Sequence, residues 1–209
     1  MHRIELFRVG EFARRLVLAL FVVAVIGQVG MGYPTPSAVP QRWQLDFEPG
    51  HLRLYVDPID GQGYWYFTYT VENNTGRDQI WVPSFDMFTD EGEIIAAGDE
   101  VPQRVTSAIR NMLGNELLET QREALGDILQ GEEHAKDGMV IWRMGDPTVN
   151  EFSVFIGGIS GETARVINPL TAEEIILRKT LQREYLVRGD AMSRGSEPAE
   201  LRSERWVLR

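Results

Sequence analysis

A run of alternating aromatic residues from Tyr64 to Glu72 constrains the fold of this chain more than any other feature. Successive side chains on a β-strand point to opposite faces of a sheet, so every second residue of the run shares a face. The residues of one face are Trp65, Phe67, Tyr69 and Val71. The turn Asn73-Asn74-Thr75-Gly76 follows, and a second β-patterned run closes at Thr89-Asp90-Glu91-Gly92. The pattern predicts a hairpin from Tyr64 to Ile95 whose aromatic face lies in the core.

Further strands are predicted around this hairpin. The strand-patterned runs are Trp43–Phe47, Leu52–Val56, Ile94–Ala97, Met139–Met144 and Glu151–Ile156. Pro83 cannot donate a hydrogen bond to a neighbouring strand, so its run is expected at a sheet edge or at a bulge. Residues 174–187 and 201–207, on either side of a loop rich in glycine, serine and charge, predict a long C-terminal β-hairpin.

Residues 101–129 interrupt the β pattern and predict a short helical insertion. Pro102 suits a first helical turn, Val105 and Ile109 recur at helical spacing, and Gly114 can end the helix. Thr120 with Glu123 forms a capping-box pattern that predicts a second short helix. The chain is therefore expected to be mainly β, with the insertion lying across one sheet or one end.

The first 32 residues have the features of an export signal. A basic lead precedes an uninterrupted apolar run from Leu16 to Ile26, and Gly30-Met31-Gly32 offers small residues where a signal peptidase cuts. Cleavage is predicted after Gly32. The uncharged stretch 16–34 is just long enough to span a bilayer, so an uncleaved anchor is the alternative. In both cases the chain is expected to be exported, to the periplasm or to the extracellular space.

One ordered domain is expected over residues 41–209. Residues 33–40 hold three prolines and predict a linker. The hydrophobic fraction of 43% is sufficient for one packed core. No cysteine occurs, which excludes disulfides, thiolate metal sites and lipid attachment through a cysteine after the signal. Stability must therefore come from the core.

Charge is unevenly distributed along the chain, whose formal net charge is −10. Residues 33–164 hold 8 basic and 22 acidic side chains, whereas residues 165–209 hold 9 basic and 7 acidic ones. Affinity for nucleic acid comes largely from clustered lysine and arginine. The acidic body is therefore not expected to bind nucleic acid, and the C-terminal hairpin is its one basic element.

Five segments in the middle of the chain resemble a known class of domain. They are Val71-Glu72-Asn73-Asn74-Thr75-Gly76, Pro83-Ser84-Phe85, Thr89-Asp90-Glu91-Gly92, Leu129-Gln130-Gly131-Glu132-Glu133 and Gly138-Met139-Val140-Ile141-Trp142. Their order within residues 64–156 resembles secreted bacterial immunoglobulin-like domains of unknown function, which occur in exported lipoproteins and secreted antigens. Gln130 stands where those domains usually have proline. The resemblance implies an immunoglobulin-like antiparallel β-sandwich and export, and it implies no activity or site residue.

Candidate metal ligands are few. After the predicted signal the histidines are His51 and His134, and neither has a partner at zinc-ligand spacing. Asp86, Asp90 and Glu91 are a candidate calcium group, although hairpin turns select aspartate and glycine on their own account. We favour the turn, and we expect no cofactor.

No catalytic motif stands out in the sequence. Gly158-Ile159-Ser160 has the start of a serine-hydrolase elbow, but Glu162 stands in place of its last glycine. Glycoside hydrolysis needs two facing carboxylates, and no pair is distinguished among the acidic residues. A hydrolase on a β-sandwich is therefore only the third hypothesis.

Two groups of residues are candidates for contact with a partner. Tyr64 and Tyr66 lie on the strand face opposite the predicted core and could stack on a sugar or a protein, unless the insertion covers them. The basic hairpin offers Arg183, Arg188 and Arg205, which could dock on an acidic surface, on anionic lipid or on the chain's own acidic body. We favour coverage of the tyrosines and pairing of the arginines within the chain.

The leading hypothesis for function is an exported, non-catalytic binding or structural module of a bacterial envelope. Its expected partner is another envelope protein or a glycan. The alternative is a membrane-tethered accessory subunit of an envelope complex, with residues 16–34 retained as an anchor. Membrane contact is expected only through that segment.

Overall fold

The computed structural model of the protein describes residues 33–209, so the predicted export signal lies outside the described residues. In chain order the strands are β1 (Asp46–Pro49), β2 (Arg53–Val56), β3 (Gly63–Glu72), β4 (Gln79–Trp81), β5 (Ser84–Thr89), β6 (Ile94–Ala96), β7 (Glu119–Thr120), β8 (Gly126–Ile128), β9 (Lys136–Arg143), β10 (Glu151–Gly157), β11 (Thr163–Ile167), β12 (Glu174–Leu186) and β13 (Glu200–Leu208). The helix α1 (Gln103–Leu113) lies between β6 and β7, and short 3₁₀ turns occur at Glu132–His134 and Ala191–Ser193. The predicted mainly β class is confirmed.

The first sheet is built around β3, the predicted aromatic strand. β1 and β2 pair antiparallel with the two halves of one edge of β3, which places Leu54 opposite Trp65. β9 pairs antiparallel along the other edge and places Val140 opposite Phe67. β7 joins the outer side of β9 as a short parallel strand.

The second sheet has β10 and β12 at its centre. β10 pairs antiparallel with β12 on one side and with β5 on the other. β6 extends the sheet beyond β5, β11 pairs with the first residues of β12, and β13 pairs along the full second half of β12. The predicted C-terminal hairpin is confirmed as β12 and β13, and it is an integral part of this sheet.

The aromatic face of β3 packs against the second sheet, as predicted. Trp65, Phe67, Tyr69 and Val71 are all buried. The ring centroids of Trp65 and Phe152 are 5.1 Å apart, and those of Tyr69 and Phe85 are 5.4 Å apart. Aromatic pairs at such distances contribute about 0.5–1.5 kcal/mol beyond the burial of their area. The two antiparallel sheets therefore form a β-sandwich around one core.

The predicted pairing of the two runs between Tyr64 and Ile95 is wrong. β3 belongs to the first sheet and β5 to the second, and the turn after β3 leads into β4, which pairs with β8 outside both sheets. Asn73 is fully buried in this turn, and its side chain donates hydrogen bonds to the carbonyls of Arg77 and Ile128. The hydrogen bond to Ile128 ties this turn to β8. A simple hairpin between the two runs would not require that contact.

Pro83 divides the second run into two strands. β4 ends before the proline and pairs with β8, and β5 begins directly after it in the second sheet. Because proline has no N–H to donate, neither ladder continues through this residue. The sequence predicted a sheet edge or a bulge at Pro83, and the structure instead has a break between two strands, at which the chain passes from the β4–β8 pair into the second sheet.

The insertion contains one of its two predicted helices. α1 follows Pro102 and ends at Gly114, which adopts the left-handed region at φ 65°. The predicted second helix is wrong. The backbone N–H of Thr120 does donate to a carboxylate oxygen of Glu123 at 2.7 Å, as in a capping box, but the chain makes a single turn there before β8 begins. Pairing of β8 with β4 straightens the backbone and prevents further helix.

Candidate functional site

The tyrosine face of β3 is covered by α1. Tyr64 and Tyr66 are 2% and 4% exposed. They belong to a second apolar cluster with Val105, Ile109, Leu118, Met139 and Ile141. Arg104 in the first turn of the helix donates to Asp57 at 2.9 Å and so ties the helix to the sheet. Buried side chains cannot contact a partner, so the two tyrosines contribute to packing in this structure.

Two of the arginines proposed to contact a partner are paired within the chain. Arg188 donates to Glu200 at 3.0 Å, and Arg205 donates to Glu184 at 2.8 Å. Both pairs are partly solvated, and exposed ion pairs contribute at most about 1 kcal/mol. Their arrangement nevertheless shows that acidic residues of the same hairpin meet these cations.

Arg183 is also engaged inside the protein. It is 7% exposed, and its guanidinium donates to the Gly50 carbonyl at 3.1 Å. A carboxylate oxygen of Glu204 lies 2.9 Å from its Nε without hydrogen-bond alignment. The guanidinium therefore links the second sheet to the loop between β1 and β2.

The three calcium candidates do not converge. Asp86 lies within β5 and accepts a hydrogen bond from Arg209 at 3.2 Å, whereas Asp90 and Glu91 lie in the exposed turn after the strand. A strand rises about 3.3 Å per residue, so four residues separate Asp86 from Asp90 by roughly 13 Å along the chain. Within residues 33–209 no group of three or more histidine or acidic side chains is arranged to hold a metal ion.

Three open grooves of similar size mark the surface of the described domain. Their volumes are about 530, 430 and 570 Å³. Because the three volumes are similar, the grooves are distinguished by the side chains that line them. One lies beside α1, and one is lined by Glu93, Asp99, Glu100 and Arg143, where Arg143 pairs with Glu100. These acidic side chains are negatively charged, like the chain as a whole, and water solvates them readily.

The groove of about 530 Å³ is different because two arginines and an indole line it, whereas each of the other two grooves has a single arginine. Its floor is formed by the second sheet, at the beginning of β5, the end of β10 and the middle of β12. We call it the Arg178 groove, and its principal lining residues are Trp43, Val82, Ser84, Gly161, Arg178 and Arg209. Among the side chains of the described lining residues, the only carboxylate is that of Asp86.

Arg178 and Arg209 lie directly opposite each other on neighbouring strands. The backbone N–H of Arg178 donates to the carbonyl of Arg209 at 2.7 Å, and the reverse bond is 3.2 Å long. Directly opposed residues of an antiparallel pair project from the same face, with Cβ atoms about 5 Å apart. Like charges in this arrangement destabilise a sheet. An anion placed beside the two guanidinium groups would therefore be favourable.

Asp86 provides a counter-charge for one of the two guanidinium groups. It accepts from Arg209, whose guanidinium carbon also lies 4.4 Å from the ring centroid of Phe155 and 4.9 Å from that of Phe88. In the described part of the chain no carboxylate forms an ion pair with Arg178, which is exposed. The groove thus has an excess positive charge on an otherwise acidic protein.

The opposite wall of the groove is built by the segment that leads into β1. Trp43 accepts a backbone hydrogen bond from Gly161 at 2.9 Å, and Gln44 bridges to Ser160. A Cβ atom on Gly161 would lie only 2.3 Å from the indole nitrogen of Trp43. Glycine at this position therefore allows the indole to pack on the backbone at the edge of the groove.

A buried ion pair holds this wall in place. Lys179 is 2% exposed, and its ammonium donates to Glu162 at 3.2 Å and to the carbonyl of Ser37 at 3.0 Å. The backbone N–H of Ser37 donates to the other carboxylate oxygen of Glu162 at 2.7 Å. Burial alone raises the pKa of Glu162, but the hydrogen bonds from Ser37 and Lys179 outweigh it, so that its pKa lies below the ordinary value. Residues on both sides of the groove are thereby connected through one ionised pair.

Sequence reasoning did not identify this groove. It placed Trp43 in a strand, considered residues 158–160 only as an incomplete hydrolase motif, and named Arg183, Arg188 and Arg205 as the contact residues of the hairpin. Two signals were present in the sequence: the glycines at 157, 158 and 161, and the adjacent cations Arg178 and Lys179 within a strand pattern. Neither indicates a site until the sheet register brings β12, β13 and residue 43 together.

Comparison of the chain with known families, curated proteins and solved structures gave no match. Within residues 33–209 no helix is both long enough and apolar enough to cross a membrane.

Proposed function

We propose that the chain is an exported, non-catalytic binding module that uses an immunoglobulin-like sandwich as its scaffold and the Arg178 groove as its ligand site. The observation that carries the proposal is the excess guanidinium in this groove. Arg178 is exposed beside Arg209, and Asp86 pairs with Arg209 alone. An exposed cation held against a like charge, on a chain with net charge −10, favours binding of an anionic group.

The scaffold supports a binding role because its site residues stand on rigid elements. Arg178 and Arg209 are fixed by two backbone hydrogen bonds, and the segment of Trp43 is fixed by Gly161 and by the buried Lys179–Glu162 pair. A site built on paired strands is preorganised, which lowers the entropy lost on binding. Two antiparallel sheets packed face to face are also the architecture of immunoglobulin-like domains.

The composition of the groove supports binding without catalysis. Glycoside hydrolysis uses two carboxyl groups that flank the bond to be cleaved. Asp86 has the single side-chain carboxylate among the described lining residues, and it is already paired with Arg209, so no second carboxyl group faces it across the groove. Ser84 and Ser160 line the groove without a histidine among the described lining residues to activate them.

Capture from an envelope extract tests this proposal. The full chain, immobilised, is compared with Arg178→Glu and with Arg122→Glu, which makes the same charge change in the groove beside α1. We expect the wild-type chain and Arg122→Glu to retain the same material and Arg178→Glu to lose most of it. Equal retention by all three proteins would exclude the Arg178 groove as the ligand site.

Mass spectrometry of the recovered material tests the non-catalytic part separately. Material that has been incubated with the wild-type chain is expected to have the same mass and linkage composition as material incubated with Arg178→Glu. Cleavage or group transfer that occurs only with the wild-type chain would show that the groove is an active site.

A further inference from the structure

The chemical class of the ligand can be inferred from the charge and the shape of the Arg178 groove. We propose that the groove binds an anionic saccharide, a sugar unit that bears a carboxylate or a phosphate group. This inference rests on the proposed binding function and specifies its ligand.

The anionic group is inferred from the opposed arginines. One carboxylate, Asp86, serves two guanidinium groups, and it hydrogen-bonds to Arg209 only. A bound carboxylate or phosphate between Arg178 and Arg209 would accept hydrogen bonds from both and remove their mutual repulsion. Planar guanidinium groups match these anions with paired N–H donors. The site therefore selects an anion with several acceptor oxygens.

The saccharide is inferred from the remainder of the lining. A free inorganic anion needs no apolar wall, whereas the indole of Trp43 and the side chain of Val82 both line this groove. Sugar rings combine an apolar face, which packs on an aromatic ring, with hydroxyl groups, which need polar partners. Ser84 and Ser160 supply hydroxyl groups in the same groove. A volume of about 530 Å³ accommodates more than one sugar ring, since small-ligand sites span about 300–1,000 Å³.

The glycines of the β10–β11 connection keep the groove open. Gly157, Gly158 and Gly161 all line it. A Cβ atom on Gly158, which has φ +80°, would lie 2.2 Å from the carbonyl oxygen of Val82. Larger side chains at these positions would therefore push the strands apart or fill the floor. Their absence leaves backbone groups within reach of a flat ligand.

Isothermal titration calorimetry of the full chain tests the inference. The probes are trigalacturonate as a carboxylated sugar, glucose 6-phosphate as a phosphorylated sugar, cellotriose as a neutral sugar, triglutamate as an acidic peptide, and inorganic phosphate. We expect at least one of the two charged sugars to bind at least tenfold more tightly than each of the other three probes. We also expect its affinity to fall as salt is raised, because the guanidinium groups are exposed.

Variants locate the binding. Arg178→Gln is expected to weaken the preferred charged sugar at least tenfold, and Arg122→Gln, the matched control outside the groove, less than twofold. Trp43→Phe is expected to reduce the preference for the charged sugar over inorganic phosphate, because the larger indole face is lost. Thermal unfolding of each variant establishes that it is folded.

Three results would overturn the inference. They are failure of both charged sugars to bind, binding of cellotriose, triglutamate or inorganic phosphate with equal affinity, and equal losses in Arg178→Gln and Arg122→Gln. If the groove-dependent capture from envelope extract succeeds while these probes fail, the binding function stands and the ligand class is wrong. If both experiments fail, the binding function is wrong as well.

Discussion

The outer faces of the two sheets differ in how they are covered. On the first sheet, Tyr64 and Tyr66 are buried beneath α1. On the second sheet, Phe88 and Phe155 are only partly buried, and the guanidinium group of Arg209 lies over both rings. Aromatic residues are therefore present on both faces, but only the second sheet keeps its face accessible.

This difference shows that aromatic content alone does not mark a binding surface. The outer face of the first sheet is covered by α1 and becomes a second apolar cluster. The outer face of the second sheet is lined by arginines and glycines at the Arg178 groove. The second sheet is therefore the place where a ligand can reach the fold.

Removal of a ring from each face should give the largest contrast. Tyr66→Ala is expected to lower the free energy of unfolding by about 3–5 kcal/mol, because it leaves a cavity between β3 and α1. Phe155→Ala, on the accessible face, should cost about 1–2 kcal/mol, because its ring is already partly solvated. Urea unfolding measures both values. Similar losses would mean that the two faces are equally packed.

The buried pair beneath the Arg178 groove should be nearly as sensitive. Lys179→Met leaves Glu162 buried without its cation and is expected to destabilise the fold by about 3 kcal/mol. The double variant Lys179→Met with Glu162→Leu should recover a large part of this loss, because no unpaired charge remains. A double variant no more stable than Lys179→Met would show that the pair acts through something other than its charges.

The same pair predicts a dependence of stability on pH. The pKa of Glu162 in the folded chain lies below its ordinary value of 4.5. Its contribution to stability is therefore complete above pH 4.5 and is lost as the pH falls through the lower folded value. Thermal unfolding between pH 6 and pH 3 should show a steeper loss for the wild-type chain than for Glu162→Gln. Parallel curves would contradict the assignment.

The smallest effect on stability is expected at the centre of the proposed site. Arg178→Gln removes a charge that faces Arg209, so the free energy of unfolding should change by less than about 0.5 kcal/mol or increase slightly. The same substitution should abolish capture of ligand. A loss of more than about 1 kcal/mol would indicate that Arg178 serves the fold rather than a ligand.

Local patterns predicted the elements of this fold well. The alternation in β3 and the terminator Gly114 each depend on a few neighbouring residues, and each is observed. The C-terminal hairpin was predicted for the same reason. Short strands such as β7 and β8 were missed because two or three residues carry no usable period.

Long-range pairing could not be predicted in the same way. The hairpin between β3 and β5 was wrong because the turn at Asn73 fits either a hairpin or a crossover, and the hydrogen bond to Ile128 decides between them. The Arg178 groove depends on contacts among β12, residue 209 and residue 43. Sequence spacing holds no information about such contacts without the register of the sheets.

Hydrogen–deuterium exchange provides the most direct test of the claim that the second sheet, and not the tyrosine face, binds the ligand. The full chain is measured alone and after saturation with the material recovered by capture. We predict slower exchange at residues 157–161 and 178–180, with no change in α1 at residues 103–113. Protection of α1 and β3, with no change at residues 157–161 and 178–180, would contradict the account.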